Sequence, residues 1–552
     1  MIRYFDLDGE TRRPGDKQRR PADASPLLVS LSPCLLVSAG GRRRASVLLL
    51  VLIVVALLTL GAMSFFERMF VEHQAAEASV RQTQARLQAE SGIEYIKAVV
   101  QQDQTTLYQS GGTFNNANLF RAKLVIDDPL AAFRGRFTIF APQMTETGYY
   151  SGYRYGLENE SAKLNLNVVL MADDAAQENA RELLMSLPGM TEPIADAILD
   201  WIDADEEQRL LGAERDYYMS LNPPYAPRNG PLASLEELLL VRDVTPAMLF
   251  GADLNRNSVI EASEEPLTII EGVDNLTGAL NRGWAAYLTI DSAEKNVRAD
   301  GTPKIDVNMS DLQALYDQLV PALGQEMASF VVAYRQGGAY DGDDDQAGKA
   351  ASGLNLDLTQ PGRERITTLL DLIGARTRVV EQGPPGQQPT VVAAAFAEDT
   401  NSMRDYLPKL FENLAVNAAP SIPGRININQ APRALLLGIP GLDSNMVEQI
   451  IGNRQPEPAA ERPDHAYETW LLTDGVVDLA TMKRLMPIVT AGGDVYRAQI
   501  VGFFDEEGPA YRMDVIVDAT QTPPLVKRRR DLVELGPGYS LEILGAAPDE
   551  VR

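Results

Sequence analysis

The segment DLNRNSVIEASE, residues 253–264, carries oxygen-bearing side chains at the spacing of an EF-hand calcium loop. In such a loop the side chains at positions one, three, five, nine and twelve and the backbone carbonyl at position seven surround the ion. Ser258 stands at position six, where a glycine usually allows the sharp turn. The spacing predicts a calcium site, with a polar surface loop as the alternative. The predicted ligands are Asp253, Asn255, Asn257, the Val259 carbonyl, Glu261 and Glu264.

A second candidate metal site is the acidic run DWIDADEEQRLLGAERDYY, residues 200–218. So many carboxylates in a short stretch repel one another, and a divalent cation would relieve that repulsion. The alternative is a solvated acidic loop, since runs of like charge are often only exposed. The sequence does not show which of these carboxylates would bind the ion. The candidate ligands are Asp200, Asp203, Asp205, Glu214 and Asp216.

Other catalytic chemistry has few residues to work with. The chain of 552 residues contains one cysteine, Cys34, and two histidines, His73 and His465. An intramolecular disulfide and a metal site built on several cysteines are therefore excluded, and a histidine-ligated catalytic metal or a Ser-His-Asp triad is not expected. The sequence also contains no glycine-rich phosphate loop and no nucleophile elbow. We expect a protein that is not an enzyme and whose cofactor is calcium.

The stretch RININQAPRALLLGIPGLD, residues 425–443, predicts a short strand and then a helical hairpin with a Pro-Gly turn, the outline of a helix-hairpin-helix. A second such turn occurs at Pro188-Gly189. This module often binds DNA phosphates, but Asp443 places a carboxylate where a phosphate would lie, and the chain has 76 acidic against 50 basic residues. We therefore expect the hairpins to serve in packing, with no nucleic-acid partner. The alternative function is a membrane-anchored helix-hairpin-helix receptor for DNA uptake.

Residues 46–66, SVLLLVLIVVALLTLGAMSFF, carry no charge and have the length of a membrane-spanning helix. Arg42, Arg43 and Arg44 precede them, so the positive-inside rule predicts a cytoplasmic N-terminus with the bulk of the chain across the membrane. The apolar run is longer than the core of a cleaved signal peptide. Apolar residues continue at helical spacing to about residue 102, which predicts a stalk helix continuous with the membrane span.

The remaining sequence alternates between short strands and helices. AKLNLNVV at 162, PKIDVNMS at 303 and GRININQA at 424 share a basic residue followed by apolar-Asx-apolar-Asn, and each precedes helical sequence. Period-two alternation in VYRAQIVGFF, AYRMDVIVDA and PLVKRRRDLVEL predicts antiparallel strands near the C-terminus, and further strands are expected before the first repeat. The order is a long helix, strands, a large helical insertion and strands, which predicts an α+β fold.

These features resemble the minor pseudopilin K family of type II secretion (general secretion pathway protein K), within the type IV pilin-like superfamily. The resemblance rests on the basic leader with its apolar helix and on four further segments. They are ESAKLNLNVV, AILDWIDADEEQRLLGAERDYYMSLNPPYAPRNGPLASLEELLLVRDVTP, LNRGWAAYLTIDS and RININQAPRALLLGIPGLD. The resemblance implies a pilin-like helix and sheet with an inserted helical domain that binds calcium. It also implies a place at the tip of the pseudopilus, with minor pseudopilins I and J as partners.

The resemblance further implies cleavage by a prepilin peptidase between Ala45 and Ser46, although most relatives have glycine before the cut, and contact with an inner-membrane assembly platform. We then expect a single-pass inner-membrane protein with a periplasmic bulk. The predicted segments are a leader (1–45), a transmembrane and stalk helix (46–107), the first part of a pilin-like sheet (108–170), an inserted α-helical domain with acidic loops (171–424), a second hairpin-containing helical subdomain (425–493) and the C-terminal strands of the sheet (494–552).

Overall fold

A computed structural model describes residues 43–172, 179–270, 273–342, 348–383, 388–457 and 462–547. The chain divides into two units, Met1–Ala75 and Ala76–Arg552. Residues 1–42, which make up most of the predicted leader, lie outside the described residues.

Helices and strands follow one another in the predicted order. The α-helices of the described residues are α1 (Arg43–Val100), α2 (Gln104–Gln109), α3 (Ala117–Phe120), α4 (Asn179–Met185), α5 (Glu192–Ile202), α6 (Arg215–Met219), α7 (Pro246–Phe250), α8 (Leu312–Leu323), α9 (Gln325–Gly337), α10 (Thr400–Asn413), α11 (Arg433–Gly438), α12 (Ser444–Asn453), α13 (Trp470–Thr473), α14 (Leu479–Leu485) and α15 (Leu541–Leu544). The strands are β1 (Lys123–Ile126), β2 (Gly135–Met144), β3 (Tyr150–Arg154), β4 (Glu158–Asn159), β5 (Leu164–Asn165), β6 (Leu288–Thr289), β7 (Ala293–Lys295), β8 (Ile305–Asp306), β9 (Thr377–Val379), β10 (Thr390–Val392), β11 (Leu414–Ala415), β12 (Ser421–Pro423), β13 (Ile426–Asn427), β14 (Val489–Thr490), β15 (Val495–Phe504), β16 (Tyr511–Asp518) and β17 (Leu525–Asp531).

The first helix, α1, contains the predicted membrane segment and continues beyond it. Its apolar side chains in residues 47–66 are exposed. Among the helices that the structure describes, this one is long and apolar enough to cross a membrane, judged by length and composition. The helix ends at Val100, and Asp103 then starts α2 by accepting hydrogen bonds from the N–H and hydroxyl of Thr106, at 3.0 and 2.6 Å. The predicted end of the stalk at residue 107 therefore falls within α2.

The C-terminal part of α1 packs on a seven-stranded antiparallel sheet of order β1-β2-β15-β16-β17, in which β3 also pairs with β2 and β4 with β15. Gly502 in β15 allows the helix to approach, since a Cβ there would lie 2.1 Å from the carbonyl oxygen of Ala85. Apolar burial holds the two elements together, at about 1.5–3 kcal/mol for each large side chain. The contact is formed by Ala85, Ala89, Ile93, Ile96, Phe137, Ile139, Ile500, Met513 and Val515. The predicted α+β fold and its antiparallel C-terminal strands are thus confirmed.

The residues between β4 and β15 form the inserted region. Asn159 of β4 lies opposite Tyr496 of β15, so the insertion leaves and rejoins the sheet at paired strands. Its core is one cluster of buried apolar side chains that includes Trp201, Trp284 and Trp470. The insertion is therefore a packed body in its own right rather than an extended loop.

The three sequence repeats form three equivalent modules of the insertion. In each module the repeat makes a two-residue strand that pairs in parallel with a strand formed after the intervening helices: β5 with β6, β8 with β11 and β13 with β14. The side-chain oxygen of the Asx residue accepts a hydrogen bond from the backbone N–H two residues later, which turns the chain out of the strand. These bonds join Asn165 to Asn167 (3.0 Å), Asp306 to Asn308 (2.9 Å) and Asn427 to Asn429 (2.9 Å).

The side chain of the final asparagine in each repeat forms hydrogen bonds within its module, which explains why this residue recurs. The Asn429 side chain donates to the carbonyls of His465 and Ala491, at 2.9 and 3.0 Å, and accepts from the indole of Trp470 at 3.1 Å. Asn308 donates to two backbone carbonyls of its own module, at 2.8 and 2.9 Å. A primary amide can satisfy donors and acceptors at once, so it closes a module without leaving buried backbone groups unpaired.

Candidate functional site

Hydrogen bonds formed by its own side chains hold the predicted EF-hand-like loop in shape. The Asp253 carboxylate accepts hydrogen bonds from the backbone N–H groups of Asn257 and Ser258, at 3.0 and 2.9 Å. Ser258, at position six, has φ 67°, the left-handed conformation that glycine usually supplies there, and Arg256, at position four, has φ 58°. A left-handed residue other than glycine costs about 1 kcal/mol. The contacts of the loop must therefore hold it in this shape.

The other predicted ligands converge within the loop. The side-chain amides of Asn255 and Asn257 both donate to Glu261, at 3.1 and 3.0 Å. Glu264 accepts from two backbone N–H groups near the start of the loop, at 2.9 and 3.2 Å. Asp253, Asn257 and Glu264 are buried, and burial raises the pKa of Asp253. A divalent cation bound here would supply positive charge that this buried carboxyl lacks.

The same loop is docked on the sheet, which the sequence did not indicate. Gln499 of β15 donates to the Arg256 carbonyl at 2.7 Å, and Arg512 of β16 donates to the Asn255 carbonyl. Val259, whose carbonyl is the predicted seventh-position ligand, lies on the exposed side of the loop. The contacts with the sheet join the candidate calcium loop of the insertion to the pilin-like part of the molecule.

In the acidic run the structure brings together three of the five candidate ligands. Asp203, Asp205 and Glu214 each place a carboxylate oxygen within 4.8 Å of the others. Among the described residues, neither oxygen of Glu214 has a hydrogen-bond partner, and Oδ1 of Asp203 has none either. Burial, followed by the nearby carboxylates of Asp200 and Asp203, raises the pKa of Glu214 to about 7. Buried oxygens without partners are costly, so the donor set fits a cation. We refer to Asp203, Asp205 and Glu214 as the acidic cluster.

The remaining two candidates of the acidic run have different surroundings. Asp200 is buried and accepts a hydrogen bond from Nη1 of Arg209 at 2.9 Å, while Arg209 also contacts Asp203. Asp216 is exposed in the first turn of α6. Arg209 is thus a member of this site that ligand spacing did not reveal, although its place as a lone cation within the acidic run is a signal for it. Arg209 therefore links Asp200 to the acidic cluster through Asp203.

The two predicted helical hairpins are packed inside the insertion. Helices α4 and α5 flank the turn at Gly189, α11 and α12 flank the turn at Gly441, and α4 contacts α11. A Cβ at Gly189 would lie 2.6 Å from the Val273 side chain, so another loop covers this turn. At the second turn Asp443 caps α12 by accepting from the Met446 N–H at 2.9 Å. Both features oppose the approach of a DNA phosphate.

A long helix, apolar in its N-terminal part, packs on an antiparallel sheet through its C-terminal part, and a helical body is inserted between two strands of that sheet. This is the architecture of a pilin-like protein. Residues 162–250 match the family model of protein K of the type II secretion system. The matched residues contain β5, the first hairpin and the acidic cluster. This match confirms, for residues 162–250, the resemblance to the minor pseudopilin K family of type II secretion that was seen in the sequence.

One similar solved structure is the crystal structure of the GspK–GspI–GspJ complex from the type 2 secretion system of enterotoxigenic Escherichia coli. The likeness covers 82% of this chain and 99% of that chain, with 12% sequence identity and a TM-score of 0.31. At that TM-score the likeness establishes no detail of the present fold. No curated protein sequence matches this chain.

Proposed function

We propose that the protein occupies the tip of the type II secretion pseudopilus, where it initiates or caps the fibre for protein export across the outer membrane. The observation that carries this proposal is the insertion, residues 160–494, which leaves and rejoins the sheet at the paired strands β4 and β15. A subunit in the fibre shaft has neighbours on both sides along the axis, and a body of this size would obstruct one of them. A subunit at the tip has one side free.

The sequence of α1 also supports the tip position. If the peptidase cuts between Ala45 and Ser46, Leu50 is the fifth residue of the mature chain. Most pilin-like subunits carry glutamate at that place, where its carboxylate pairs with the N-terminal amine of the subunit ahead. A carboxylate in an apolar helix is costly without such a partner. Leucine therefore fits a subunit with no neighbour ahead of it.

We infer that minor pseudopilins of the I and J types are the direct partners, since the resemblance to the K family supports assembly with the other minor pseudopilins. The protein would reside in the inner membrane as a single-pass protein, with its N-terminus in the cytoplasm and its bulk in the periplasm. The apolar part of α1 and the three arginines at 42–44 support this orientation. A prepilin peptidase and the inner-membrane assembly platform would act on it before it enters the fibre.

Immunogold labelling of assembled fibres tests the tip position. We expect gold at one end of each fibre, and loss of secretion when the whole chain is deleted. Leu50→Glu should still initiate and cap fibres, with reduced efficiency. Leu49→Glu, which adds the same charge one position earlier, controls for the cost of a carboxylate in the apolar helix. Gold spaced along the shaft would contradict the proposal.

We also propose that the loop at residues 253–264 and the acidic cluster each bind calcium. In the first site Asp253, Asn257 and Glu264 are buried oxygen-bearing side chains at ligand positions. The acidic cluster has three buried carboxylate oxygens without hydrogen-bond partners among the described residues. Calcium, a hard cation that prefers oxygen ligands, would neutralise these charges and hold the loops in one conformation. A chelator tests this through the stability of the protein, as developed below.

A further inference from the structure

A cavity of about 350 Å³ lies between the sheet and three loops of the insertion. Alternate residues of β15 and β16 face α1, as Ala498 and Val515 do, and the residues between them form the opposite face of the sheet. On that opposite face Arg497 and Asp514 line the cavity. The loops that complete the cavity include residues 250–258 and 282–291. Its lining is rich in charged side chains of both signs.

Most of the cations in this lining are neutralised by a carboxylate. Arg497 forms a paired contact with Asp514, with Nη2 at 2.7 Å and Nε at 3.0 Å from the carboxylate. On β17, Arg528 forms an ion pair with Asp291 at 3.4 Å, and Arg530 forms another with Glu236. Two parallel N–H···O bonds match a guanidinium to a carboxylate, so the arginines of these pairs leave little charge for a further ligand.

Two arginines of the cavity, Arg256 and Arg282, do not form such an ion pair with any described residue. Among the described residues, neither Arg256 nor Arg282 has a carboxylate within ion-pair distance. Arg256 lies over the ring of Phe250 at 5.0 Å, and Arg282 lies over the ring of Tyr150 at 4.8 Å. Nη1 of Arg282 is buried without a hydrogen-bond partner. A guanidinium keeps its charge in a protein, so these two half-buried side chains are cations without a carboxylate of the described residues in direct contact.

The acidic groups that interact electrostatically with Arg282 are held by other partners. The oxygens of Asp253 accept the N–H groups of Asn257 and Ser258, and Glu158 forms an ion pair with Lys163 at 2.8 Å. A cavity that holds cationic groups without a carboxylate in direct contact is a usual environment for a bound anion.

We propose that this cavity binds a small oxyanion, a carboxylate or a phosphate, through Arg256 and Arg282. The planar donors of arginine match two oxygens of either group. The cavity volume lies at the lower end of the range for small-molecule sites, so a compact di- or trianion fits better than an extended chain. A free small anion and an acidic side chain of a docked peptide share this chemistry, and the experiment separates them.

Isothermal titration of the full chain in detergent tests the proposal, with inorganic phosphate, succinate, uncharged succinamide and a short Asp/Glu-rich peptide as probes. We expect saturable binding of phosphate or succinate, and none of succinamide or the peptide. Arg256→Gln and Arg282→Gln should each weaken binding at least about tenfold, as expected for loss of a charge-assisted pair. Arg378→Gln is the matched control, since Arg378 is exposed and also stands over an aromatic ring, that of Tyr340 at 5.3 Å. The control should leave affinity unchanged.

Two results would overturn the proposal: the absence of saturable binding for both small anions, or an equal loss of affinity in the control variant. Binding of the peptide alone would show that the site serves a macromolecular partner and not a free anion. If the glutamine variants do not fold, Arg256→Lys and Arg282→Lys keep the charge but not the planar donor pair, and unchanged affinity in both would reject the assignment. Titrations with and without calcium separate this site from the proposed calcium loops.

Discussion

Replacing Glu214 with glutamine tests whether the acidic cluster is built for a cation. The folded protein raises the pKa of Glu214 from 4.5 to about 7, through burial and then through Asp200 and Asp203. Between these two pH values the folded state holds a proton that the unfolded state has released. Stability without metal therefore falls as the pH rises through 7, and the full cost is present above it. The raised pKa corresponds to roughly 3 kcal/mol at most, and access of water to the loop reduces it to about 1–2 kcal/mol.

The expected result is a change of sign between two conditions. At pH 8 in chelator, Glu214→Gln should be more stable than the wild type by about 1–2 kcal/mol, because the buried charge is gone. With calcium at about 100 times its dissociation constant, the wild type should gain roughly 2.7 kcal/mol at this site, and the variant much less. Asp216→Asn is the matched control, since it removes the same charge from an exposed position two residues away. It should respond to calcium as the wild type does.

Thermal unfolding of the full chain in detergent, followed by tryptophan fluorescence, is a suitable assay because Trp201 is buried in α5 next to Asp200. A change of 1 kcal/mol moves the midpoint by about 2–4 °C in a domain of this order of size. The series should be repeated at pH 5.5, which lies between the two pKa values, and there the stabilisation by glutamine should be smaller than at pH 8. A variant that is less stable than the wild type in chelator at pH 8 would refute the reasoning. So would midpoints that do not respond to calcium.

Four further predictions concern other parts of the molecule. Glu264→Gln should remove the part of the calcium-dependent rise in melting temperature that comes from its own loop, and an unchanged rise would reject that loop as a site. Gel shifts at physiological salt should show no binding of duplex DNA, because the net charge is −26, whereas a salt-sensitive micromolar shift would support the DNA-receptor alternative. Asn429→Ala should lower the free energy of unfolding by about 3 kcal/mol, because three hydrogen bonds are lost in a buried site, while the exposed control Asn401→Ala should change it by less than about 0.5 kcal/mol. Burial lowers the pKa of His465 from 6.5, so the unfolded state binds its proton first; stability measured against pH should fall below pH 6.5, and His465→Gln should flatten that fall.

The strands near the C-terminus were predictable from the sequence, but the central strand pairing of the sheet was not. Alternation with period two in the last sixty residues predicts β15, β16 and β17, and short turns place them side by side. The central pairing of the sheet instead joins β2 to β15, with Phe137 opposite Gly502. The whole insertion separates these two residues in sequence. No local pattern specifies a partner at that distance, since register there depends on the packed core.

The two candidate calcium sites show the same limit on a smaller scale. All the predicted ligands at residues 253–264 lie within one twelve-residue loop, so their spacing alone predicts that they converge. The acidic run offered five equivalent carboxylates, and spacing could not rank them. The structure ranks them through the carboxylate oxygens that have no hydrogen-bond partner among the described residues, two on Glu214 and one on Asp203, and through the exposure of Asp216. Which carboxylates remain available is decided by neighbours, and neighbours are a property of the fold.

The same reasoning explains how an acidic protein can contain a site for an anion. Net charge describes the average field of the molecule, whereas a site responds to the charges that its own neighbours have left unpaired. Glu214 keeps two carboxylate oxygens without partners, so its surroundings fit a cation. Arg282 keeps a buried guanidinium nitrogen without one, so its surroundings fit an anion. The sequence placed Glu214 among five equivalent carboxylates of the acidic run and did not single out Arg282. Each is identified by a hydrogen-bonding group that folding has buried and left unsatisfied, and a ligand of opposite charge is the group that satisfies it.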